Sequence, residues 1–350
     1  MTMNNISLHK PLWLHAGDWV VVRSKEEILA TLDKDGRLDG LPFQPEMFSF
    51  CGKRFSVGKV AHKTCDNIRK TGGRKMKDAV HLEGARCDGS VHGGCQADCV
   101  FFWKEVWLER PETAADQPLV ISKPKSECSE ARVHEVTCKT SEASGNPTWM
   151  CQTTALYEAT TPLKWWDIRQ YIRDVASGNH HAWHILKLLI FAGYRKIVSF
   201  GVGYRFWIGL YNRFQMIRGG KFYPLGHGTI PDGQPTPVEE LGLQPGEWVE
   251  VRPQEEILST ITESGMNRGM RYDLEMSKYC GNRYRVQMRV DHLINEQTGK
   301  MMQMKTPCIQ LGDVYCRAEC TPMRIGCPRA SNTYWREIWL RRVDNPTHSK

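Results

Sequence analysis

The sequence reads as an α+β chain: two homologous small β-barrel-like domains joined by a helical middle segment that is both basic and apolar. That expectation rests on three features. First, Gly17-Asp18-Trp19-Val20-Val21-Val22-Arg23 returns as Gly246-Glu247-Trp248-Val249-Glu250-Val251-Arg252, a shift of 229 residues. The register persists through Glu26-Glu27-Ile28-Leu29 and Glu255-Glu256-Ile257-Leu258, and through Phe50-Cys51-Gly52 and Tyr279-Cys280-Gly281. Second, each copy closes on one aromatic signature, Phe102-Trp103-Lys104-Glu105-Val106-Trp107-Leu108 and Tyr334-Trp335-Arg336-Glu337-Ile338-Trp339-Leu340. Self-similarity at a fixed shift is the mark of a repeated unit. Third, ten Lys or Arg between Lys164 and Lys221 face only Asp167 and Asp174, so this stretch carries the whole net charge of +8.

The expected order is a first β-rich repeat over 14–110, a partly ordered linker over 111–160, a helical segment over 161–218, a Gly/Pro linker over 219–245 and a second repeat over 246–343. A chain of 350 residues allows two or three cores. In the first repeat, Gly17 to Arg23 has the β-branched and aromatic content of a strand. Ser24 and Glu27 have capping-box spacing, which predicts a short helix. Lys34-Asp35-Gly36 and Asp39-Gly40 predict turns. Arg54 to Val60 and Val100 to Arg110 predict strands, the latter central because large apolar groups fall on both faces. Pro162 at a first helical position and Ile168, Tyr171, Ile172 and Val175 at helical spacing predict a helix over 161–175, stopped at Ser177-Gly178. From His181 to Ile217 lone basic residues interrupt every apolar window, so a spanning helix is not expected. An amphipathic interfacial helix or helical pair is expected instead, broken at Gly193 and Gly201-Val202-Gly203.

The opening Gly-Asp-Trp-Val-x-Val-Arg resembles the first strand of Src-homology-like or KOW-type small barrels. Together with the Cys-Asp-Gly and Gly-Gly-Cys loops and the Trp-Lys-Glu-x-Trp-Leu ending, it also resembles cysteine-rich bacterial proteins of unassigned activity. The resemblance implies a small-barrel fold and no particular mechanism.

The first ten residues contain no apolar leader, so the expected location is cytoplasmic. The apolar face of 181–217 is expected either at a membrane surface, which would make the protein peripheral to the membrane, or buried between the domains. In a reducing compartment, thirteen cysteines point to metal ligands or reactive thiols rather than disulfides. In the first repeat Cys65, Cys87, Cys95 and Cys99 are the candidate ligands, with His62 and His92 as substitutes or supporting partners. Cys87 to Cys99 packs three cysteines and a histidine among glycines, which allow a loop to curl around one ion. In the second repeat the candidates are Cys308, Cys316, Cys320 and Cys327. Zinc and an iron–sulfur cluster both fit: the short Cys-x2-Cys knuckle of structural zinc is missing, and irregular, mostly thiolate ligation also suits iron–sulfur. The competing reading is that these cysteines are small buried hydrophobes. Cys151 is a candidate nucleophile, a further ligand or a packed thiol.

No phosphate loop, dinucleotide fingerprint or serine-hydrolase elbow is present. The expected function is a cytosolic protein binding iron–sulfur or zinc in each Cys-rich repeat, serving as a redox or sulfur-handling accessory or a tailoring enzyme of a bacterial biosynthetic pathway. One alternative is a nucleic-acid-binding small-barrel protein with structural zinc. Another is a non-catalytic zinc scaffold at a membrane surface. The expected partner is a protein or an anionic membrane surface, met through 181–217, with nucleic acid less favoured. Whether the chain is an enzyme stays open at this level.

Overall fold

Trp19–Val22 forms β1, and Ser24 ends it by capping the helix α1, Lys25–Leu29. The capping box is present in both directions, as its spacing predicts. The computed structural model that shows this describes residues 12–66, 69, 71–111, 128–140, 146–200, 203–321 and 324–344. The protein mixes helices with several small antiparallel sheets. The chain divides into two compact units, one of 1–185 with 293–302 and 326–329, the other of 186–292 with 303–325 and 330–350. The first unit therefore includes two short pieces of the predicted second repeat.

In the first unit β2, Arg37–Leu38, and β3, Leu41–Pro42, pair about Asp39-Gly40. Both turn residues have positive φ, 51° and 78°, the backbone that a tight two-residue hairpin requires. A 3-10 turn, Pro45–Phe50, leads into β4, Arg54–Val60. Then follow β5, Lys63–Asp66, β6, Gly72–Lys75, and β7, Ala79–Leu82. The predicted strand over Val100 to Arg110 is split. It forms β8, Trp103–Lys104, a 3-10 turn, Glu105–Trp107, and β9, Leu108–Glu109. The strand order is β8-β7-β4-β1-β9, so the two halves of the aromatic signature form opposite edges of one sheet rather than its centre. The 3-10 turn lets the chain leave β7 and reach β1. It also brings Trp103 and Trp107 into the same core, with Val20, Val22, Ile28, Phe43 and Met47.

Within the predicted linker, 112–127 and 141–145 lie outside the described residues. What is described holds α2, Glu130–Thr137, paired strands β10, Cys138–Thr140, and β11, Pro147–Trp149, and the edge strand β12, Thr161–Pro162. β12 corrects the predicted helix start. Thr161 and Pro162 pair with Lys75 and Arg74 of β6, an edge position that tolerates proline, and helix α3 begins only at Arg169–Ala176.

Helix α4 is Ala182–Ser199 and runs unbroken through Gly193, against expectation. A single glycine costs only about 1 kcal/mol, too little to break a helix of this length. Helix α5 is Tyr204–Arg218, entered at Gly203 with φ 66°; Gly201 and Val202 lie outside the described residues. In the second unit the two helices meet through rings: Phe191 and Tyr194 lie 5.8 and 5.7 Å from Tyr211, and Tyr194 packs edge-on to Trp207. Among the described residues no helix is long and apolar enough to cross a membrane.

The second sheet follows as β13, Trp248–Val251, then α6, Gln254–Leu258, the hairpin β14, Met266–Asn267, with β15, Met270–Arg271, and a 3-10 turn, Leu274–Tyr279. The long strands β16, Arg283–Ile294, and β17, Met301–Tyr315, precede β18, Asn332–Trp335, a 3-10 turn, Glu337–Trp339, and β19, Leu340–Arg342. The order β18-β17-β16-β13-β19 parallels that of the first sheet. Contacts correspond as well. Trp19 pairs with Ser56 and Trp248 with Arg285. The indole of Trp107 donates to Thr31 Oγ1 at 3.0 Å and that of Trp339 to Thr260 Oγ1 at 2.9 Å. Phe43 stands edge-on to Trp107, and Tyr272 to Trp339.

Candidate metal centre

The Cys87 to Cys99 loop is shaped by backbone bonds that glycine makes possible. Cys87 N donates to Cys99 O at 2.8 Å and closes the loop base. Above it, His92 N and Gly94 N both donate to Gly89 O, at 2.9 and 3.0 Å. Gly89 has φ 70°, and a Cβ there would stand 2.1 Å from the carbonyl oxygen of Cys95, so no larger residue fits. The tight wrap turns His92 inward until it is 1% exposed.

Its partner comes from elsewhere. The 3-10 turn Pro45–Phe50 presents Glu46, whose Oε1 lies 2.6 Å from His92 Nδ1. The same oxygen accepts Val91 N–H at 3.1 Å and faces Cys87 Sγ at 3.9 Å. Gln44 Nε2 donates to that sulfur at 3.6 Å, and His92 Nε2 is 3.3 Å from Met150 O. One donor atom from each of Glu46, Cys87 and His92 lies within 4.8 Å of the others, so the group can hold a metal ion. The second carboxylate oxygen, Glu46 Oε2, is buried without a hydrogen-bond partner. Burial works to raise the Glu46 carboxyl, but His92 and the Val91 N–H outweigh it and hold the pKa below its ordinary value. Burial and the nearby Glu46 charge push the Cys87 thiol well up.

Other predicted ligands have other surroundings. Cys95 Sγ accepts Ile294 N–H at 3.3 Å. Cys151 Sγ is 3.0 Å from Thr153 Oγ1. Cys95 and Cys151 lie near Cys87 but outside the three-donor set. Cys99 faces Arg329 and Glu296. Arg329 is itself 5% exposed, with Cys65, Cys99 and Cys327 around it. It binds Glu296 Oε1 at 3.0 Å through Nη2, while Nη1 has no partner. His62 turns away to α3, with Nε2 3.3 Å from Gln170 O and from Asp174 Oδ1; burial pushes it down to about 3. Asp174 is in turn paired with the Lys63 ammonium.

Among the described residues the four cysteines of the second repeat do not come together as a metal-holding group. Cys308 lies in the core on β17, its thiol turned to Val290 O at 3.9 Å. Cys316 N donates to Ser331 O at 2.8 Å, and Cys320 N to Glu275 Oε1 at 2.6 Å. Cys327 belongs to the first unit, because 326–329 packs there. None of the thirteen cysteines is joined in a disulfide. Sequence reasoning missed Glu46, which belongs to no metal motif. The repeat does carry a signal for it, since Glu46-Met47 recurs as Glu275-Met276 at the same shift. No protein-family model and no curated protein matches this chain.

Proposed function

We propose that the chain is a metal-binding protein whose centre is Glu46, Cys87 and His92, with zinc as the ion. The stranded Glu46 Oε2 carries this reading. A buried carboxylate oxygen without a donor costs about 1–3 kcal/mol or more, and a cation beside it removes that cost. One thiolate, one imidazole and one carboxylate is a donor set that suits zinc. Zinc held by three protein donors keeps an open position and acts there as a Lewis acid. Around it, Gln44 and Val91 would orient the sulfur and the carboxylate, and Met150 O the imidazole. The surroundings fit a small, bent sheet in each half of the chain, and we read both as partly open barrels derived from one duplicated domain.

The thiols of Cys95, Cys99 and Cys151 near Cys87 favour a second reading, an iron–sulfur cluster in a redox or sulfur-handling protein. Elemental analysis and visible absorption of anaerobically purified protein separate the two. The expected result is about one zinc per chain, lost in Glu46→Gln, Cys87→Ser and His92→Ala. Iron with a broad visible band replaces zinc by the cluster. Protein that holds neither metal, and takes up neither on reconstitution, overturns both.

A further inference from the structure

Helices α4 and α5 turn their aromatic sides toward each other and leave their other sides uncovered. On α4 the exposed large apolar positions are Trp183, Leu186, Ile190 and Ile197, continued by Phe200 just past the helix end, a single stripe in steps of three and four with Gly193 at the missing step. Trp183 is 62% and Phe200 73% exposed. On α5, Phe206, Leu210, Phe214 and Ile217 continue the pattern, with Phe206 at 67% and Ile217 at 78%. Contiguous apolar surface of this extent marks an interaction face.

Charge decides what covers it. From Val175 to Pro231 there is no Asp or Glu, and there are seven Lys or Arg. Lys187, Lys196, Arg205, Arg213, Arg218 and Lys221 are exposed. A second copy of the same face would bring like charges together without an acid to offset them, so self-association is disfavoured. Neither helix can span a bilayer. Apolar stripes flanked by cations and by Trp and Tyr are the pattern of helices that lie in the headgroup region.

We propose that the α4–α5 pair docks this protein on an anionic lipid surface, with the two apolar stripes in the headgroup–acyl boundary and the exposed cations of the two helices, Lys187, Lys196, Arg205, Arg213 and Arg218, reaching lipid phosphates. The long stems of lysine and arginine allow this, because they cover apolar surface while the charge stays at the interface.

Flotation of the full chain with vesicles tests it. Phosphatidylcholine vesicles containing phosphatidylserine are expected to carry the protein at low salt and release it at high salt, while phosphatidylcholine alone carries little. Each cation is worth about fivefold in partitioning near such a surface, so Arg205→Gln with Arg213→Gln weakens binding about 25-fold. Both positions are exposed, and the substitutions disturb no core. Absence of flotation at low salt overturns the proposal and leaves an acidic protein as the occupant. Binding to neutral and anionic vesicles alike, unchanged by the double substitution, also overturns it. So does a concentration-dependent dimer that Ile190→Glu dissociates, which would make the face a self-interface.

Discussion

Glu46 and Glu275 stand at the second position of matching six-residue 3-10 turns, Pro45–Phe50 and Leu274–Tyr279, and both are buried. Around Glu275 both oxygens are taken: Oε1 accepts Cys320 N–H at 2.6 Å and Oε2 accepts Glu319 N–H at 3.1 Å. Around Glu46 one oxygen serves Val91 and His92, and the other has no partner. At the shift of 229 residues, Thr321 stands where His92 would recur and Lys278 where Ser49 stood. Lys278 forms an ion pair with Glu319, beside Glu275 and Cys320. One carboxylate on one backbone frame thus closes a loop in the second half and keeps an oxygen without a hydrogen-bond partner in the first. A repeated cysteine is weak evidence for a repeated site; what matters is whether the buried carboxylate still needs a partner.

Substitutions in matching positions test how far the two halves are equivalent. Trp107→Ala and Trp339→Ala should each cost about 3–5 kcal/mol in urea denaturation, since both indoles are fully buried and bonded to a threonine. A much smaller loss at one of them would show that the two cores are not equivalent. The metal contrast comes next. His92→Ala or Cys87→Ser should weaken metal binding by more than the roughly 10–100-fold expected for losing an outer partner, whereas Cys316→Ser and Cys320→Ser leave metal content unchanged. Loss of metal in the second pair would place a centre in both halves. Ser24→Ala should cost about 1 kcal/mol by removing the cap of α1; α6 starts at Pro253, where no side chain caps, and has no such loss to suffer.

The smallest effect is in pH dependence, and its sign differs between the pockets. In metal-free protein Glu46 lies below its ordinary pKa, so its stabilisation is present above the unfolded value and lost as pH falls through the folded one. Glu275 is raised by burial, so its contribution is present in acid and lost as pH rises through its folded pKa. Denaturation of Glu46→Gln and Glu275→Gln across the acid-to-neutral range should therefore show opposite slopes relative to the parent protein. Slopes of the same sign would mean that His92 does not set the Glu46 ionisation.

Much of the local structure was readable in the chain. The Ser24–Glu27 box, the Asp39-Gly40 turn and the strand at Trp19 depend on neighbours a few residues away, and local physics carries them. The helix over 161–175 was placed too early because Pro162 suits a first helical turn as well as an edge strand, and only the presence of β6 decides between them. The aromatic signature was read as one strand because its apolar pattern does not show the 3-10 turn at Glu105–Trp107. At the site, Cys87 and His92 were visible through their spacing, while Glu46, 41 residues before Cys87, was not.

The register of the two halves, the concentration of positive charge in one segment and the glycine-dependent wrap of the Cys87 loop follow from residue order alone, because each is a property of near neighbours or of composition. Tertiary structure alone decided that Glu46 meets His92, that Cys327 packs in the first unit with Cys65 and Cys99 about Arg329, and that the outer faces of α4 and α5 stay uncovered. The physical reason is distance along the chain. Spacing encodes contacts within a turn or a loop, whereas a carboxylate, a thiol or a guanidinium from another element is brought in by core packing, and many different sequences share that packing.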